Sequence, residues 1–585
     1  MLKRTSINLF LVFAILLSLG VSIASSAPPA QEELTYTVKL GDNLWTLAEK
    51  YLGSGPAYWA IFGATNAKFE EDPSFALIED PNLIHPGWKL LIPSVEEAAG
   101  YAAPPTPQEG GTLVISLGTD VPIFDSVYAS GIPNLGIIHL VTEGLTRINP
   151  QGGEPKVLPV LATSWWVSED GKTWTFKLRE GVKFHDGTPF NAEAVKFNIE
   201  RMLDPETKAL ARASFTMIKS VEVVDEYTVN MTTEGPFAAL PAQLAYSPMA
   251  MNSPTQVQKL GNQDYHTAPM GTGPFKFVHH IKGQEVLVEA NPDYWGGTPH
   301  LDAIAMRPIP ETASRILALE SGESQVIYHV PPRDAQRFRD NPDLGIEVLT
   351  PPQQRRMFVG LNVQWGPFQD QRVRQALNYA VDKEAIVENI FLGLAQSMDS
   401  PLPPTALCYS PTKYYEYNPD KAKELLAEAG YADGFEATLH YGAGRYLLDS
   451  EAVEAVQSYL ADVGVKVEVV PLEWAAYAGM MRKPLEETEI QMFFIGWGRP
   501  TLDPDLGING YSKEAWAPGL NTMFYSNPEL EELISAQRAA MDPEERCEIV
   551  NSAQQIIMED APSIFLYYEP QIHAKRSEVH DFTIS

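Results

Sequence analysis

Apolar residues return between Asp370 and Val381 at the spacing of a single helix face: Val373, Ala376, Leu377, Ala380 and Val381 fall at i, i+3, i+4, i+7 and i+8. That pattern predicts an amphipathic helix with Asp370 as its cap and Arg372 and Arg374 flanking the stripe. Asp382 is placed to cap a second helix whose buried side is Ile386, Ile390 and Phe391. Upstream, Asp186-Gly187 predicts a tight turn, and Asn191 caps a helix carrying Ala194, Val195 and Ile199. Residues 437–441 and 465–469 read as strands around a helical stretch at 451–463, and 492–495 is a short buried strand. Alternating strands and helices of this kind point to α/β lobes.

The first hundred residues follow a different pattern. Tyr36-Thr37-Val38 alternates like a short strand, Gly41-Asp42 starts a turn, and Leu44, Leu47, Ala48 and Tyr51 share one helix face. A second apolar helix at 58–64 precedes Asn66, and 87–93 closes as a strand. The stretch 94–109, rich in Pro, Ala and Glu, reads as a linker.

A chain of 585 residues is too long for one core and predicts several domains. Its formal net charge of -32, from 75 acidic against 43 basic residues, repels nucleic-acid phosphates and anionic lipid surfaces. Lys3 and Arg4 precede an apolar run over 9–24 that ends in small residues, the layout of a secretory signal cleaved within 22–27; an uncleaved anchor is the alternative. No cysteine follows that run, so a lipid anchor there is not expected, and the mature chain is expected to be exported, in the periplasm or associated with the cell envelope. The two cysteines, Cys408 and Cys547, allow one disulfide, which spacing leaves open. Eleven histidines show neither HExxH nor a Cys/His ligand array, so no metal and no cofactor is expected.

The ordered string Leu361-Asn362, Pro367-Phe368, Asp370, Arg372-Val373-Arg374-x-Ala376-Leu377, Ala380, Asp382-Lys383 resembles the dipeptide, oligopeptide and nickel class of extracytoplasmic solute-binding proteins, which feed ABC importers. The resemblance recurs in order at 174–197, at Gly271-Thr272-Gly273-Pro274-Phe275, at Asn291-Pro292-Asp293-Tyr294-Trp295, at 314–322 and at 492–505. One departure is that Glu320 to Gln325 lacks the acidic residue the family usually places after its Gly-Glu. The N-terminal module, with YTVKLGDNLWTLAEKYLG, Trp59, Asn66 and NLIHPGWKLLIP, resembles a LysM domain.

These resemblances imply a two-lobed periplasmic-binding-protein fold of type II, the Venus-flytrap arrangement, with an extra insert domain and a small α+β LysM domain ahead of it. The implied division is a signal peptide at 1–27, LysM at 34–94, a linker at 95–109 and a solute-binding module at 110–585. Within the last, lobe I covers about 110–152, 270–355 and 561–585, the insert about 153–269, and lobe II about 356–560. The chain then passes between lobes twice, so two hinge strands can bend while each lobe stays rigid.

Among eleven tryptophans, Trp365, Trp474, Trp497 and Trp516 lie outside motifs with a structural aromatic. Trp497 stands out because it follows a buried strand and precedes Gly498-Arg499, so it is expected to line the cleft. Dipeptide-binding relatives place an aspartate shortly after this tryptophan to pair with the peptide's amino terminus. That position here is Pro500, and Asp503 or Asp505 is the substitute. Arg356 or Arg499 is the expected carboxylate partner. Tyr128 and Asn134 sit where the family's first lobe reaches the cleft. In the LysM module the implied glycan-binding residues are Gly41, Asp42, Asn43 and Leu44 in one loop and Asn82 and Ile84 in the other.

The implied function is capture of a small solute by a monomer and its delivery to ABC permease subunits, with tethering to peptidoglycan through LysM. Peptide is the first choice of ligand and oligosaccharide the alternative, since an amino-terminal anchor is missing. A LysM-bearing wall hydrolase is the competing class. No GxSxG elbow occurs, and Ser410-Pro411-Thr412-Lys413 matches SxxK without the SDN and KTG partners of penicillin-recognising enzymes. The chain is therefore read as a receptor rather than an enzyme.

Overall fold

A computed structural model describes residues 34–39, 42–78, 84, 87–98, 100–101, 110–121, 123–128, 132–149, 156–352, 355–412, 415–498, 502–517, 519–580 and 582. The expected signal peptide, and Gly41, Asn82 and Arg499 among the expected site residues, lie outside them. The chain divides into two compact units, 1–108 and 109–585.

In the first unit β1 (Leu34–Thr37) pairs antiparallel with β2 (Lys89–Ile92), and the helices Leu44–Leu52 and Tyr58–Glu71 pack beside them. Leu44, Leu47, Ala48, Ile61 and Leu90 form its core, as the periodicity requires. The Asn66 amide accepts from Ile78 N–H at 2.7 Å and donates to Ile78 carbonyl at 2.8 Å, pinning the segment that leads to β2. Part of the expected linker belongs to this unit: Val95–Ala98 is a helical turn whose Ala98 packs on the core.

The second unit opens with β3 (Thr112–Leu117). An insert follows with β4 (Thr146–Asn149), β5 (Lys156–Pro159), β6 (Ala162–Val167), β7 (Thr173–Leu178), β8 (Ile218–Asp225) and β9 (Thr228–Thr233). Helix Ala192–Leu203 starts on the Asn191 side chain, which accepts from Ala194 N–H, and packs into the insert's core with Phe176 and Phe190. The first lobe resumes with β10 (Phe275–Ile281), β11 (Glu285–Ala290), β12 (Ala303–Pro308), β13 (Val326–Tyr328) and β14 (Ile346–Leu349). The second lobe then supplies β15 (Arg355–Leu361), β16 (Gln396–Ser397), β17 (Phe435–Gly442), β18 (Val465–Leu472), β19 (Met492–Gly498) and β20 (Ser563–Tyr568), before β21 (His573–Arg576) returns.

Sheet order separates the lobes. The first has β10-β11-β12-β3-β13-β21-β14 and the second β16-β20-β15-β19-β17-β18. The chain therefore crosses between them after Leu349 and again after Tyr568. The return falls later than the expected residue 561, because β20 pairs with β15 and β16 and completes the second-lobe sheet.

Alternation along β15 decides which core each side chain enters. Met357, Val359 and Leu361 join Val373, Leu377 and Ile386 on one face, whereas Phe358 joins Phe493, Trp497 and Phe565 on the other. The helices Gln371–Ala380 and Lys383–Ile390, capped by Asp370 and Asp382, cover the first face. Pro528–Ala539 and Pro543–Asp560 cover the second, and Cys547 of the latter is disulfide-bonded to Cys408. Among the described residues no helix is long and apolar enough to cross a membrane.

Candidate functional site

In the second lobe β17 runs parallel to both β18 and β19, so Gly442, Leu472 and Gly498 end at one edge. β15 runs antiparallel to β19 and β20, which brings Arg355 and Glu569 to that same edge, where the chain crosses to the first lobe. In the first lobe β12 and β13 run parallel to β3, so Leu117, Pro308 and Tyr328 also share an end, beside the start of β21. Ligands of open α/β sheets bind outside the carboxyl ends of such strands.

The loop after β17 is built to display a cation. Asp449, buried in the first turn of helix Asp449–Asp462, accepts N–H bonds from Gly444 at 3.2 Å and Tyr446 at 3.0 Å. Arg445, between them, is exposed, with its guanidinium 4.6 Å from the Trp474 ring and 5.9 Å from the Tyr446 ring. Such stacking orients the guanidinium while leaving its N–H donors in the plane able to meet a carboxylate. The Arg355 guanidinium lies 5.5 Å from the Tyr446 ring and is ion-paired with Glu569. Glu569 also accepts from Leu447 N–H at 3.3 Å, tying the display loop to the second crossing.

On the first-lobe side, His329 holds a left-handed backbone with φ 60°, unusual for a residue with a β-carbon. Its carbonyl accepts from Arg315 at 3.4 Å. The side chain is exposed to water, yet surrounding protein lowers its pKa to about 4 by desolvation, with Arg315 and Arg355 adding to the effect. Its neighbour His573 is fully buried, 4.4 Å from Tyr328 between ring centres, and burial first and His329 second push its pKa down to about 3.

The expected site residues separate on this frame. Trp497 and Trp474 stand at the crevice end; Trp497 is 6 % exposed and packs on Phe358 and Tyr511, so its ring serves chiefly the core. Arg356, one residue inside Arg355, is fully buried. Trp365 follows the opposite end of β15 and packs on Phe368. Since seven residues of strand span about 20 Å, Trp365 stands far from Arg355 along β15, packed against the core. Both oxygens of Asp503 bind Arg546 at 2.7 Å, and Asp503 caps helix Pro504–Asn509. Asp505 is held by Gln537 at 2.5 Å and Arg538 at 2.6 Å. Trp516 donates to Tyr525 carbonyl at 2.8 Å. Tyr128 donates to Thr207 carbonyl at 2.6 Å and braces the insert, and Asn134 lies in helix Ile132–Val141. Arg445 went unnoticed, although an arginine after Gly442-Ala443-Gly444 at a strand's carboxyl end is a readable signal.

A cavity of about 460 Å³ lies at the crossings themselves, lined by Arg339, Thr350, Leu394, Gln396, Thr405 and Gln571 among others. It adjoins the edge strands β14 and β16, whereas Arg445 and Trp474 belong to the β17–β19 side, so it is a separate feature of the hinge.

In the LysM module Asp42 accepts from Tyr36 hydroxyl at 2.7 Å and Lys39 N–H at 2.8 Å, Asn43 caps the first helix, Leu44 is buried and Ile84 packs on the core. Their side chains shape the loops. Beside them Trp45 is 51 % exposed and 6.0 Å from the Tyr58 ring.

The sequence signature described as bacterial extracellular solute-binding proteins, family 5 Middle, matches residues 156–518, and that of the LysM domain matches 36–68. The chain is 36 % identical over 436 residues to the glutathione-binding protein GsiB of Pectobacterium atrosepticum, covering 73 % of this chain and 84 % of that one. It is 33 % identical to GsiB of Escherichia coli K12, covering 81 % and 92 %. Among solved structures it is similar to the periplasmic binding protein DppA of Helicobacter pylori in complex with the peptide STSA, with TM-score 0.70, 30 % identity and coverage of 80 % and 95 %. The oligopeptide-binding protein AppA of Bacillus subtilis, in complex with a nonapeptide, is similar at TM-score 0.68 and 27 % identity, covering 82 % and 97 %.

Proposed function

The chain belongs to the bacterial extracellular solute-binding proteins of family 5, and from that premise we propose that it captures a peptide between its two lobes and delivers it to an ABC permease. The observation that carries this reading is Arg445, an exposed guanidinium stacked on Trp474 at the carboxyl ends of β17–β19, next to two chain crossings. A peptide carboxylate is a planar partner for that fork, and Trp474 supplies apolar surface for the adjoining residue. Two crossings let the lobes close as rigid bodies, and a ligand touching both lobes favours the closed form by its differential affinity. The permease reads that closed form. Relatives that take glutathione, a tetrapeptide and a nonapeptide support a peptide ligand.

The LysM module, in this reading, holds the receptor to peptidoglycan after export. A glycan would meet the backbone of the loops around Asp42 and Ile84 and stack on Trp45. Tethering confines the receptor near the envelope and raises its effective concentration at the permease.

Calorimetry on the full chain with glutathione, tripeptides, a nonapeptide and cello- and manno-oligosaccharides tests the proposal, with small-angle scattering to follow closure. Peptide binding with a smaller radius of gyration is the expected result. Binding of oligosaccharides alone would refute the peptide reading and retain the receptor; turnover of peptidoglycan fragments would refute the receptor. Sedimentation of the chain with purified wall, lost on Trp45→Ala, tests the tether.

A further inference from the structure

Arg356 and Arg355 are adjacent in sequence and opposite in circumstance. Arg355 faces Glu569. Arg356 points to the other face of the sheet, where its cross-strand neighbours are Trp497 on β19 and Tyr568 on β20, and its guanidinium lies 5.6 Å from the Trp497 ring. It is 0 % exposed, and none of its three side-chain nitrogens has a hydrogen-bond partner among the described residues. A guanidinium does not give up its proton near neutral pH, so burial cannot be relieved by neutralisation. Aromatic faces compensate such a charge only in part.

The carboxylates of this region are engaged elsewhere. Asp399 accepts from Tyr409 hydroxyl with both oxygens, at 2.8 Å each, and from Tyr568 hydroxyl at 3.1 Å. Asp503 and Asp505 bind Arg546 and Arg538, and Glu569 binds Arg355. The guanidinium nevertheless stands one residue from the crevice end of the sheet, on the face opposite Arg355 and its cross-strand partner Gly498.

We propose that Arg356 seats a carboxylate of the captured peptide, entering at the strand ends on the Trp497 side of the sheet, so that this crevice selects ligands for an acidic group placed to reach inside the second lobe. This rests on the peptide reading above and adds a specificity to it. The unpaired cation makes the empty crevice poorer and the acid-bound one better, which is differential affinity of the kind closure needs. The carboxylate can be a glutamate side chain or the peptide's own terminus, two sources with one chemistry.

The test is calorimetry on the full chain with Ala-Glu-Ala and Ala-Gln-Ala, each with a free and an amidated C-terminus. Wild type is expected to lose about tenfold or more in affinity when one of the two carboxylates is removed, and the pair affected names the source. In Arg356→Met that preference should shrink to about twofold or less, and in Arg356→Lys, which keeps charge without the fork, it should be intermediate. The ligand-free Arg356→Met chain should melt no lower than wild type, because the substitution removes a buried unpaired charge. Acid-blind binding by wild type, or a preference that survives in Arg356→Met, overturns the proposal alone. A ligand-free Arg356→Met chain that melts well below wild type also overturns it, since a partner inside the protein would then hold the guanidinium. So does a chloride-dependent rise in melting temperature, at constant ionic strength against gluconate, seen in wild type and absent in Arg356→Met: it identifies a resident halide. Binding of none of the four peptides overturns the peptide reading and this inference together.

Discussion

Replacing Cys408 and Cys547 together by serine removes a single cross-link and little else. The two residues are 139 apart, and the loop they close contains β17, β18 and β19, half of the second-lobe sheet. Other bonds keep the local geometry: Gln554 donates to Cys408 carbonyl at 2.7 Å and accepts from Ser400 hydroxyl at 2.6 Å. The loss therefore falls on the unfolded chain, which gains freedom. Loop-closure entropy for a ring of that size corresponds to about 5 kcal/mol at 25 °C, and bridges commonly deliver 2 to 4, so a loss of about 3 kcal/mol is expected. Urea unfolding of the full chain, followed by tryptophan emission and by near-ultraviolet dichroism, should show an earlier midpoint for the transition of the second unit. Wild type under reductant should move to the variant's midpoint, while the variant ignores reductant. Midpoints that coincide within the error of about 0.5 kcal/mol, or two titratable thiols in protein recovered from the envelope, would refute the reasoning.

Arg445→Ala and Trp474→Ala should each weaken glutathione or tripeptide binding by about tenfold or more in calorimetry, with little change in melting temperature, because both stand at the surface of the crevice. Trp365→Ala should do the reverse, leaving affinity intact while urea unfolding shows a loss of about 2 kcal/mol. Asp503→Asn leaves Arg546 buried without its counter-ion and should cost about 3 to 5 kcal/mol in the same assay. His573 stays neutral in the fold down to a pKa of about 3, whereas the unfolded chain takes up its proton below about 6.5. The unfolded state thus binds more protons in that window, and stability falls as pH drops through it, by up to about 1.4 kcal/mol per pH unit. His573→Phe should flatten urea-derived stability between pH 6.5 and 4 by that slope; an unchanged slope would show that His573 is not held neutral.

Local chemistry was legible wherever a decision depends on neighbours in the chain. Asp370, Asp382 and Asn191 start helices because a carboxylate or amide reaches its own N–H groups two or three residues on, whatever packs outside. Apolar spacing likewise placed Val373, Leu377 and Ile386 in one core and Leu44, Leu47 and Ala48 in another. Side-chain type alone could not rank the candidates for the crevice. Trp365 and Trp474 are equal as residues, and only strand direction puts one at the distal end of β15 and the other at the crevice.

Long-range pairing settled the remainder. Asp503 meets Arg546 and Cys408 meets Cys547 across separations that no periodicity encodes. Arg355 and Arg356 differ by one step of a pleated strand, and that step turns the first toward Glu569 and the second into an aromatic interior. Periodicity reports which positions want water excluded; the sheet's pleat, its strand order and the second crossing determine which of them meet one another.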